Sequence, residues 1–389
     1  MKNLKYSLIL LVFLSLSLSF TTNEKNDYSS INHKGEKSVL INKVLFKDIT
    51  VDTSKISPTG YWLMPDSAFY FIDKKVVSVK KFNLDGSFIG NKIGQGFGPN
   101  EIVSPAWISS VNSTGQLFIM DNNNILYSFD KNFSLKTKSN SPWIELLDSN
   151  FDDDLMEALY QNPDPKVPEM YEYNYVVNDM QSCKDTLYIP INTEHVSYNG
   201  YDTRCNSLDY WKNSYIFISF SINNITGTKH LFGHYPPVYY KQNIPVFSTY
   251  DFTIANNKLY ITFAADPNIY VMNLKGELLY SMGIPDTGIK GEYPQTKTFD
   301  EYENKRKEQR EKYGYYDKLY AWNNLLFRTC RLDNGKWKLQ IYKGPNMVGD
   351  VQMDKPLRIF GNYNGYFYGY VDTDMNNEQF KLVKFKINI

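Results

Sequence analysis

The sequence predicts an all-β fold, and three observations support that prediction. Residues 93–131 contain a glycine-rich loop followed by three strand-like runs that are separated by turn residues. Runs similar to the central one recur along most of the chain. The chain also contains 32 tyrosines, and aromatic residues are favoured in strands.

The stretch over residues 93–131 resembles an NHL repeat, the unit that forms one blade of a β-propeller. It begins with Ile93-Gly94-Gln95-Gly96-Phe97-Gly98-Pro99-Asn100-Glu101 and continues with strand-like residues around 106–110, 117–120 and 125–129. The resemblance implies that each echo is one blade of four antiparallel strands, A (innermost) to D (outermost). Six candidate B strands lie at residues 69–72, 117–120, 187–189, 259–263, 325–330 and 366–370. We therefore predict a six-bladed β-propeller, similar to uncharacterised exported propellers of Gram-negative bacteria.

The N-terminal region predicts export. Lys2 and Lys5 precede an apolar run over residues 7–18, and Ser17 and Ser19 fit the small residues before a signal-peptide cleavage site. The apolar run is shorter than the ~20 residues that span a membrane, and no cysteine near the cleavage point offers a site for lipid attachment. We expect a signal peptide over residues 1–19, a disordered leader over 20–36 and a single propeller domain over 37–389. The expected location is periplasmic or extracellular.

The two ends of the domain predict how the ring closes. The chain finishes with a C strand near residues 380–387 and has no D strand after it. The strand-like run over residues 39–46 is expected to complete this last blade, which removes two exposed sheet edges. The alternative is a local hairpin between this run and residues 49–51.

The long insertions are predicted to gather on one face. Residues 90–104, 139–174, 232–248 and 283–316 each lie between a D strand and the next A strand, and residues 192–213 lie between strands B and C of blade three. D–A and B–C connections emerge on the same side of a propeller, whereas the tight A–B and C–D turns emerge on the other. Two insertions contain helical patterns, at 152–160 and from a capping box at Thr298 and Glu301. Long loops in compact domains are often functional.

Several kinds of chemistry have little support in the sequence. Lys plus Arg and Asp plus Glu both number 42, so the chain lacks the basic excess that nucleic acids require. The glycines at 94, 96 and 98 are followed by Pro99 and Pro105 rather than by the helix of a phosphate-binding loop. No sequence motif of a metal or cofactor site is present, and none is expected; a metal site shared by His195 and His234 remains an alternative.

Three cysteines leave at least one unpaired. Cys183 and Cys205 could form a disulfide in an oxidising compartment, with two free thiols as the alternative. Cys330 is expected to be a buried strand residue.

Aromatic and polar residues are dense in the insertions, and such surfaces suit sugar rings or peptides. The alternative is that these side chains pack the insertions onto the propeller. The candidate ligand-binding residues are His195, Tyr198, Tyr201, Asp202, Arg204, Trp211, His234, Tyr235, Tyr316 and Trp322.

The expected function is that of a non-catalytic binding or scaffold protein of the cell envelope. A glycan, a peptide or an envelope protein would bind the loop-bearing face of a monomer, with no nucleic acid and no membrane span. The alternative is a hydrolase or lyase with its site at the mouth of the central channel on the same face. NHL-type propellers include both lyases and interaction modules, so the fold cannot choose between them.

Overall fold

The computed structural model describes residue 28 and residues 30–104, 106–111, 114–140, 159–174, 180–193, 195–205, 207–225, 227–372 and 380–387. The strands in these ranges form six separate sheets, as expected for a six-bladed propeller. The predicted signal peptide, residues 1–19, lies outside the described residues.

Two strands precede the first blade, and blades one to three follow in chain order. The leading strands are β1 (Lys37–Ile41) and β2 (Lys47–Ile49). Blade one contains β3 (Gly60–Leu63), β4 (Phe69–Asp73), β5 (Ser78–Phe82), β6 (Phe88–Gln95) and β7 (Glu101–Ile102). Blade two contains β8 (Ala106–Val111), β9 (Leu117–Asp121), β10 (Ile125–Phe129) and β11 (Leu135–Asn140). Blade three contains β12 (Glu172–Tyr173), β13 (Gln181–Cys183), β14 (Thr186–Asn192), β15 (Phe217–Ser221) and β16 (His230–Phe232).

The remaining strands complete the ring, and all six predicted B strands are confirmed. Blade four contains β17 (Tyr250–Ala255), β18 (Lys258–Phe263), β19 (Asp266–Asn273) and β20 (Leu278–Met282). Blade five contains β21 (Tyr315–Trp322), β22 (Leu325–Arg331), β23 (Trp337–Lys343) and β24 (Asn346–Met353). Blade six contains β25 (Leu357–Tyr363), β26 (Tyr366–Asp372) and β27 (Phe380–Phe385).

An N-terminal strand closes the last blade, but a different one from the run that was predicted. The short strand β2 pairs antiparallel with β27 and supplies the outermost strand of blade six. Residues of the predicted run, 39–46, instead belong partly to β1, which pairs in parallel with β24 as a fifth strand of blade five. The prediction of closure is therefore confirmed, and its position shifts along the chain to Lys47–Ile49.

The chain before β1 follows the outer edge of blade four. The Lys34 amide donates to the Ser281 carbonyl over 2.8 Å, and the Ser281 amide donates to the Asn32 carbonyl over 3.1 Å. Tyr28 is buried, with its ring edge-on to Tyr270 at 4.6 Å. These contacts lie inside the segment for which a disordered leader was predicted, so this part of the segment packs against the propeller.

Aromatic side chains pack blade six against blade one and so hold the ring shut. Trp62 lies 5.0 Å from Phe71 between ring centroids, and Phe69 lies 5.3 Å from Tyr368 of blade six. All four side chains are buried. Part of the high aromatic content of the sequence is thus used where blade six meets blade one.

The described parts of the long insertions follow D strands or lie between strands B and C, and these connections leave the propeller on one face, as predicted. They carry helices α1 (Ser207–Asn213), α2 (Pro237–Lys241) and α3 (Phe299–Lys312), together with the 3₁₀ turns Pro168–Met170 and Pro245–Phe247; a third 3₁₀ turn, Thr53–Lys55, precedes blade one. Helix α3 begins at the predicted cap, where Thr298 Oγ1 accepts from the Glu301 amide. Of the helix predicted over 152–160, only residues 159 and 160 are described, and they are helical.

An aspartate at the end of strand B organises the following turn in blade one. The fully buried Asp73 accepts hydrogen bonds from the amides of Lys75 and Val76 and, over 2.8 Å, from the ammonium group of Lys80. The Ser57 hydroxyl also donates to it, over 2.6 Å. Burial alone raises the pKa of Asp73, but the hydrogen bonds from Lys80, Ser57 and the Val76 amide outweigh burial and lower it below its usual value.

We predict that Asp73→Asn lowers the free energy of unfolding at pH 7 by about 3–5 kcal/mol, because the buried Lys80 ammonium loses its partner. A carboxylate whose pKa is lowered on folding stabilises the protein above its unfolded pKa, and this contribution disappears as the pH falls through the folded pKa. The difference between wild type and variant should therefore shrink below about pH 4. Urea unfolding at several pH values measures this difference in the free energy of unfolding. Asp85→Asn, at an exposed turn bonded to Ser87, is the control, and an equal effect there would contradict the prediction.

Candidate functional site

Three insertions join into one layer, which we call the loop platform: the described parts of residues 193–216, residues 233–249 and residues 283–314. Trp211 Nε1 in the first insertion donates to Asn243 Oδ1 in the second over 2.7 Å. Asn243 Nδ2 in turn donates to the Thr296 carbonyl in the third over 2.7 Å. The Thr203 amide donates to the Lys297 carbonyl, which links the first insertion to the third directly. The loop-bearing face is thus a connected structure.

Aromatic side chains form the interior of the loop platform. Trp211 lies 4.8 Å from Tyr210 and 4.8 Å from Tyr235 between ring centroids, and it stacks on Tyr239 at 5.4 Å. Tyr198 lies 5.7 Å from Tyr210. All five side chains are buried, and burial raises the pKa of the Tyr210, Tyr235 and Tyr239 hydroxyls well above the usual value.

A glycine allows this cluster to pack closely. A Cβ atom placed on Gly200 would lie 2.2 Å from the Trp211 ring, so the indole packs directly against the backbone at this position. Three of the candidate ligand-binding residues, Tyr198, Trp211 and Tyr235, therefore lie in the core of the loop platform. Their positions favour the packing alternative.

The next group of candidates lies at the edge of the loop platform. Asp202 accepts from both the backbone amide and the guanidinium group of Arg204, and these hydrogen bonds lower the pKa of the Asp202 carboxyl. The Tyr201 ring lies 4.6 Å from Tyr302 and 5.8 Å from Phe299 of helix α3. Asp202 and Arg204 satisfy each other, and Tyr201 fastens helix α3 to the first insertion.

The two candidate histidines have separate environments. His195 Nδ1 lies 3.2 Å from the Ser197 hydroxyl, and its ring lies 5.8 Å from Tyr160. His234 Nδ1 lies 2.9 Å from the Ser214 carbonyl oxygen, and its ring lies 4.6 Å from Tyr215. No three His, Cys, Asp or Glu side chains among the described residues come together in a way that could hold a metal ion.

Tyr316 and Trp322 lie at opposite ends of strand β21. Tyr316 is buried, with the Arg328 guanidinium 4.1 Å from its ring centroid, and burial raises its pKa to about 12. Trp322 lies at the A–B turn and packs edge-on against Phe367 at 5.8 Å. Trp322 therefore lies on the tight-turn face, so its expected place on the loop-bearing face was wrong.

The glycine-rich loop after blade one is occupied by a carboxylate of the chain itself. The Gly98 amide donates to Glu101 Oε2 over 2.7 Å, and Gly96 adopts a positive φ of 148° beside the same carboxylate. Strand β7 follows at once and pairs in parallel with β6. The Gly98 amide is therefore already paired with a carboxylate of the chain.

The inner strands of blades four and five are joined by an ion pair. Asp251 Oδ2 accepts from the Leu319 amide over 2.7 Å, and Lys318 Nζ lies 3.7 Å from Asp251 Oδ1. These partners fix the carboxylate between two strands.

The three cysteines are free thiols. They are Cys183, Cys205 and Cys330, and Cys330 is buried in β22 as predicted.

A groove of about 1360 Å³ lies on the outer rim between blades three and four. Strand β16 and residues 274–277 of the blade-four C–D turn form its floor, and the loop platform overhangs it. His230 Nε2 lies 2.9 Å from the Lys275 carbonyl oxygen, which joins the two blades at the floor. The aromatic lining residues are Tyr28, Tyr188, Tyr215, Phe232, Tyr235 and Tyr240.

Sequence reasoning found only part of this groove. His234 and Tyr235 were candidates, whereas the Tyr28, Tyr215 and Tyr240 rings were not. The Lys212 ammonium lies 5.6 Å from the Tyr240 ring centroid. A cation and an aromatic ring therefore lie together at the upper wall of the groove, the wall that the loop platform forms. The signal available for Tyr28 was its position as the single tyrosine of a mostly polar leader.

Comparison with known proteins places the fold but gives no family. No family model matches the chain, and no curated protein matches its sequence. Among solved structures, a member of the DUF4221 family from Bacteroides vulgatus superposes with a TM-score of 0.62 at 12% identity, over 90% of this chain and 98% of that chain. A protein of Bacteroides fragilis for which export has been inferred matches with a TM-score of 0.51 at 12% identity, over 92% of this chain and 98% of that chain.

A third structure, streptogramin B lyase, matches with a TM-score of 0.43 at 12% identity, over 89% of this chain and 98% of that chain. A match at this level carries no argument about the reaction. The first two likenesses show the propeller fold alone. Among the described residues, no helix is both long and apolar enough to cross a bilayer.

We predict that Trp211→Ala lowers the free energy of unfolding by about 3–5 kcal/mol, because it leaves a cavity inside the loop platform. Urea unfolding measures the change, and limited proteolysis should show faster cleavage within residues 193–213. Leu208→Ala, on the same helix but 52% exposed, is the matched control. Similar losses in the two variants would contradict a platform held together by its buried aromatic core.

Proposed function

We propose that this protein is an exported binding protein of the cell envelope that holds an elongated glycan or peptide in the groove between blades three and four. One observation carries the proposal: the groove combines a volume of about 1360 Å³ with several aromatic rings and hydrogen-bonding side chains on the same walls. Ligand sites are typically concave, with apolar walls and a few polar groups that fix orientation. The predicted signal peptide supports export.

The upper wall offers the surfaces that such a ligand needs. Tyr215 and Tyr240 are only half-buried, so their rings remain partly available for contact. His234 lies against Tyr215, and Lys212 lies over Tyr240. Sugar rings and peptide side chains pack well on rigid aromatic faces whose edges carry hydrogen-bonding groups.

The groove's chemistry favours binding over catalysis. Its described lining contains one carboxylate, that of Glu277, whereas glycoside hydrolysis typically uses a pair of carboxylates across the scissile bond. The lining lysines, Lys166, Lys212 and Lys275, suit a ligand that carries some negative charge. The proposal therefore favours acidic glycans or acidic peptides within the wider class.

Arrays of bacterial glycans and of peptides, probed with the purified chain from residue 20 onward, test the proposal. We expect binding to a restricted set of extended ligands, enriched in acidic members, without chemical change to them. Turnover of an arrayed compound would replace the proposal by the enzymatic alternative. No binding on either array would overturn it.

We predict that Tyr215→Ala and Tyr240→Ala each weaken binding of an array hit by about tenfold, because each removes one ring contact worth about 1 kcal/mol or more. Isothermal titration calorimetry measures the dissociation constants. Tyr363→Ala is the matched control, because Tyr363 is 37% exposed and lies at a turn on the opposite face. Equal weakening in all three variants would place the ligand outside this groove.

A further inference from the structure

A second surface lies on the tight-turn side of the rim, away from the groove between blades three and four. We call it the leucine–lysine patch, and its residues are Leu40, Lys43, Leu45, Lys47, Lys384 and Lys386. They line a depression of about 440 Å³ between the segment that connects β1 to β2 and the end of β27, with Tyr366 at its floor. The function proposed above uses none of these residues.

The two leucines are exposed to solvent on a segment whose inward residues are anchored to the propeller. Leu40 is 73% exposed and Leu45 is 72% exposed. Between and beside them, Val44 is buried, and the Phe46 ring packs edge-on against Phe385 at 5.2 Å. The segment is therefore fixed by its inward residues, and the exposure of the leucines follows from that anchoring.

The lysines repel one another and have no described counter-ion. Lys47 and Lys384 lie directly opposite each other on β2 and β27, an arrangement in which like charges destabilise a sheet. Lys384 and Lys386 both lie over the Tyr366 ring, at 5.5 Å and 4.3 Å from its centroid. In the part of the chain that the structure describes, none of the four patch lysines forms an ion pair; the nearby Asp48 pairs with Lys381 instead.

We propose that the leucine–lysine patch docks the protein on an anionic membrane surface. Four ammonium groups with no ion-pair partner among the described residues complement the phosphates of anionic lipids, and each lysine near such a surface adds to the attraction. Two neighbouring aliphatic side chains can enter the boundary between headgroups and acyl chains, as in other proteins that lie on membranes. A purely acidic polypeptide would account for the lysines, but it would offer no apolar counterpart to the two exposed leucines of the same depression.

Vesicle co-sedimentation with the chain from residue 20 onward tests the proposal. We expect binding to phosphatidylglycerol-containing vesicles, little binding to pure phosphatidylcholine vesicles, and a loss of binding in high salt because the interaction is partly electrostatic. Equal binding to the two lipid compositions would overturn the proposal. So would binding to polyglutamate without binding to vesicles, which would indicate an acidic polypeptide partner.

Variants locate the binding to the patch. Lys384→Gln with Lys386→Gln should weaken vesicle binding at least tenfold, whereas Lys131→Gln with Lys307→Gln removes two exposed charges elsewhere and should change it little. Leu40→Ser with Leu45→Ser should also weaken binding about tenfold, with the exposed Leu208→Ser as its control. All variants are checked for folding by urea unfolding.

Two further results would overturn the proposal: unchanged binding in both patch variants, or a dimer in sedimentation equilibrium that dissociates in the leucine variant. The second result would mean that another copy of the chain covers the leucines. Neither result bears on the groove between blades three and four, because the ligand-array experiment uses residues of other blades.

Discussion

The whole architecture depends on one short strand pairing across the ends of the chain. Strand β2 has three residues and pairs with β27, which comes some 330 positions later in sequence. Without it, blade six would end at an unpaired edge, and exposed edges recruit other strands. Three ladder positions alone would hold this closure weakly. The aromatic cluster of Trp62, Phe69 and Tyr368 supplies the remaining contact by packing blade six on blade one.

Closure at β2 has consequences around the rim. Because β2 must reach blade six, the preceding chain passes along the outer edges of blades four and five, where it pairs with Ser281 and with β24. Leu40, near the end of β1, and Leu45, in the crossing from blade five to blade six, are both exposed. Tyr28 anchors the other end of the described segment at the His234 carbonyl, beside the outermost strand of blade three. The groove between blades three and four and the leucine–lysine patch therefore both lie where the N-terminal segment meets a blade.

The propeller fold could be predicted from the sequence because the patterns that mark its strands are local. Each B strand is a short apolar run bounded by turn residues, and all six were placed correctly. The closing strand was misplaced because Lys47-Asp48-Ile49 has little apolar character, whereas the preceding run over residues 39–46 has the composition of a strand. The pairing partner of β2 also lies at the far end of the chain. The sequence also did not reveal which insertion residues are buried: Trp211 packs against Tyr235 of another insertion, and Tyr198 packs against Tyr210. The face of Trp322 was readable, since Asn323 and Asn324 form the adjacent A–B turn.

The insertions act on the groove indirectly, through the wall that they build. Several of their large aromatic residues, among them Trp211, are buried in the core of the loop platform. These rings therefore do not face solvent on the loop-bearing face. That core instead fixes helix α1 and the start of the second insertion, and these two segments carry Lys212, Tyr215, His234 and Tyr240 to the upper wall of the groove. The density of aromatic residues in the insertions thus marks the support of the groove wall, and the rings that line the proposed site lie beyond this core, on the rim.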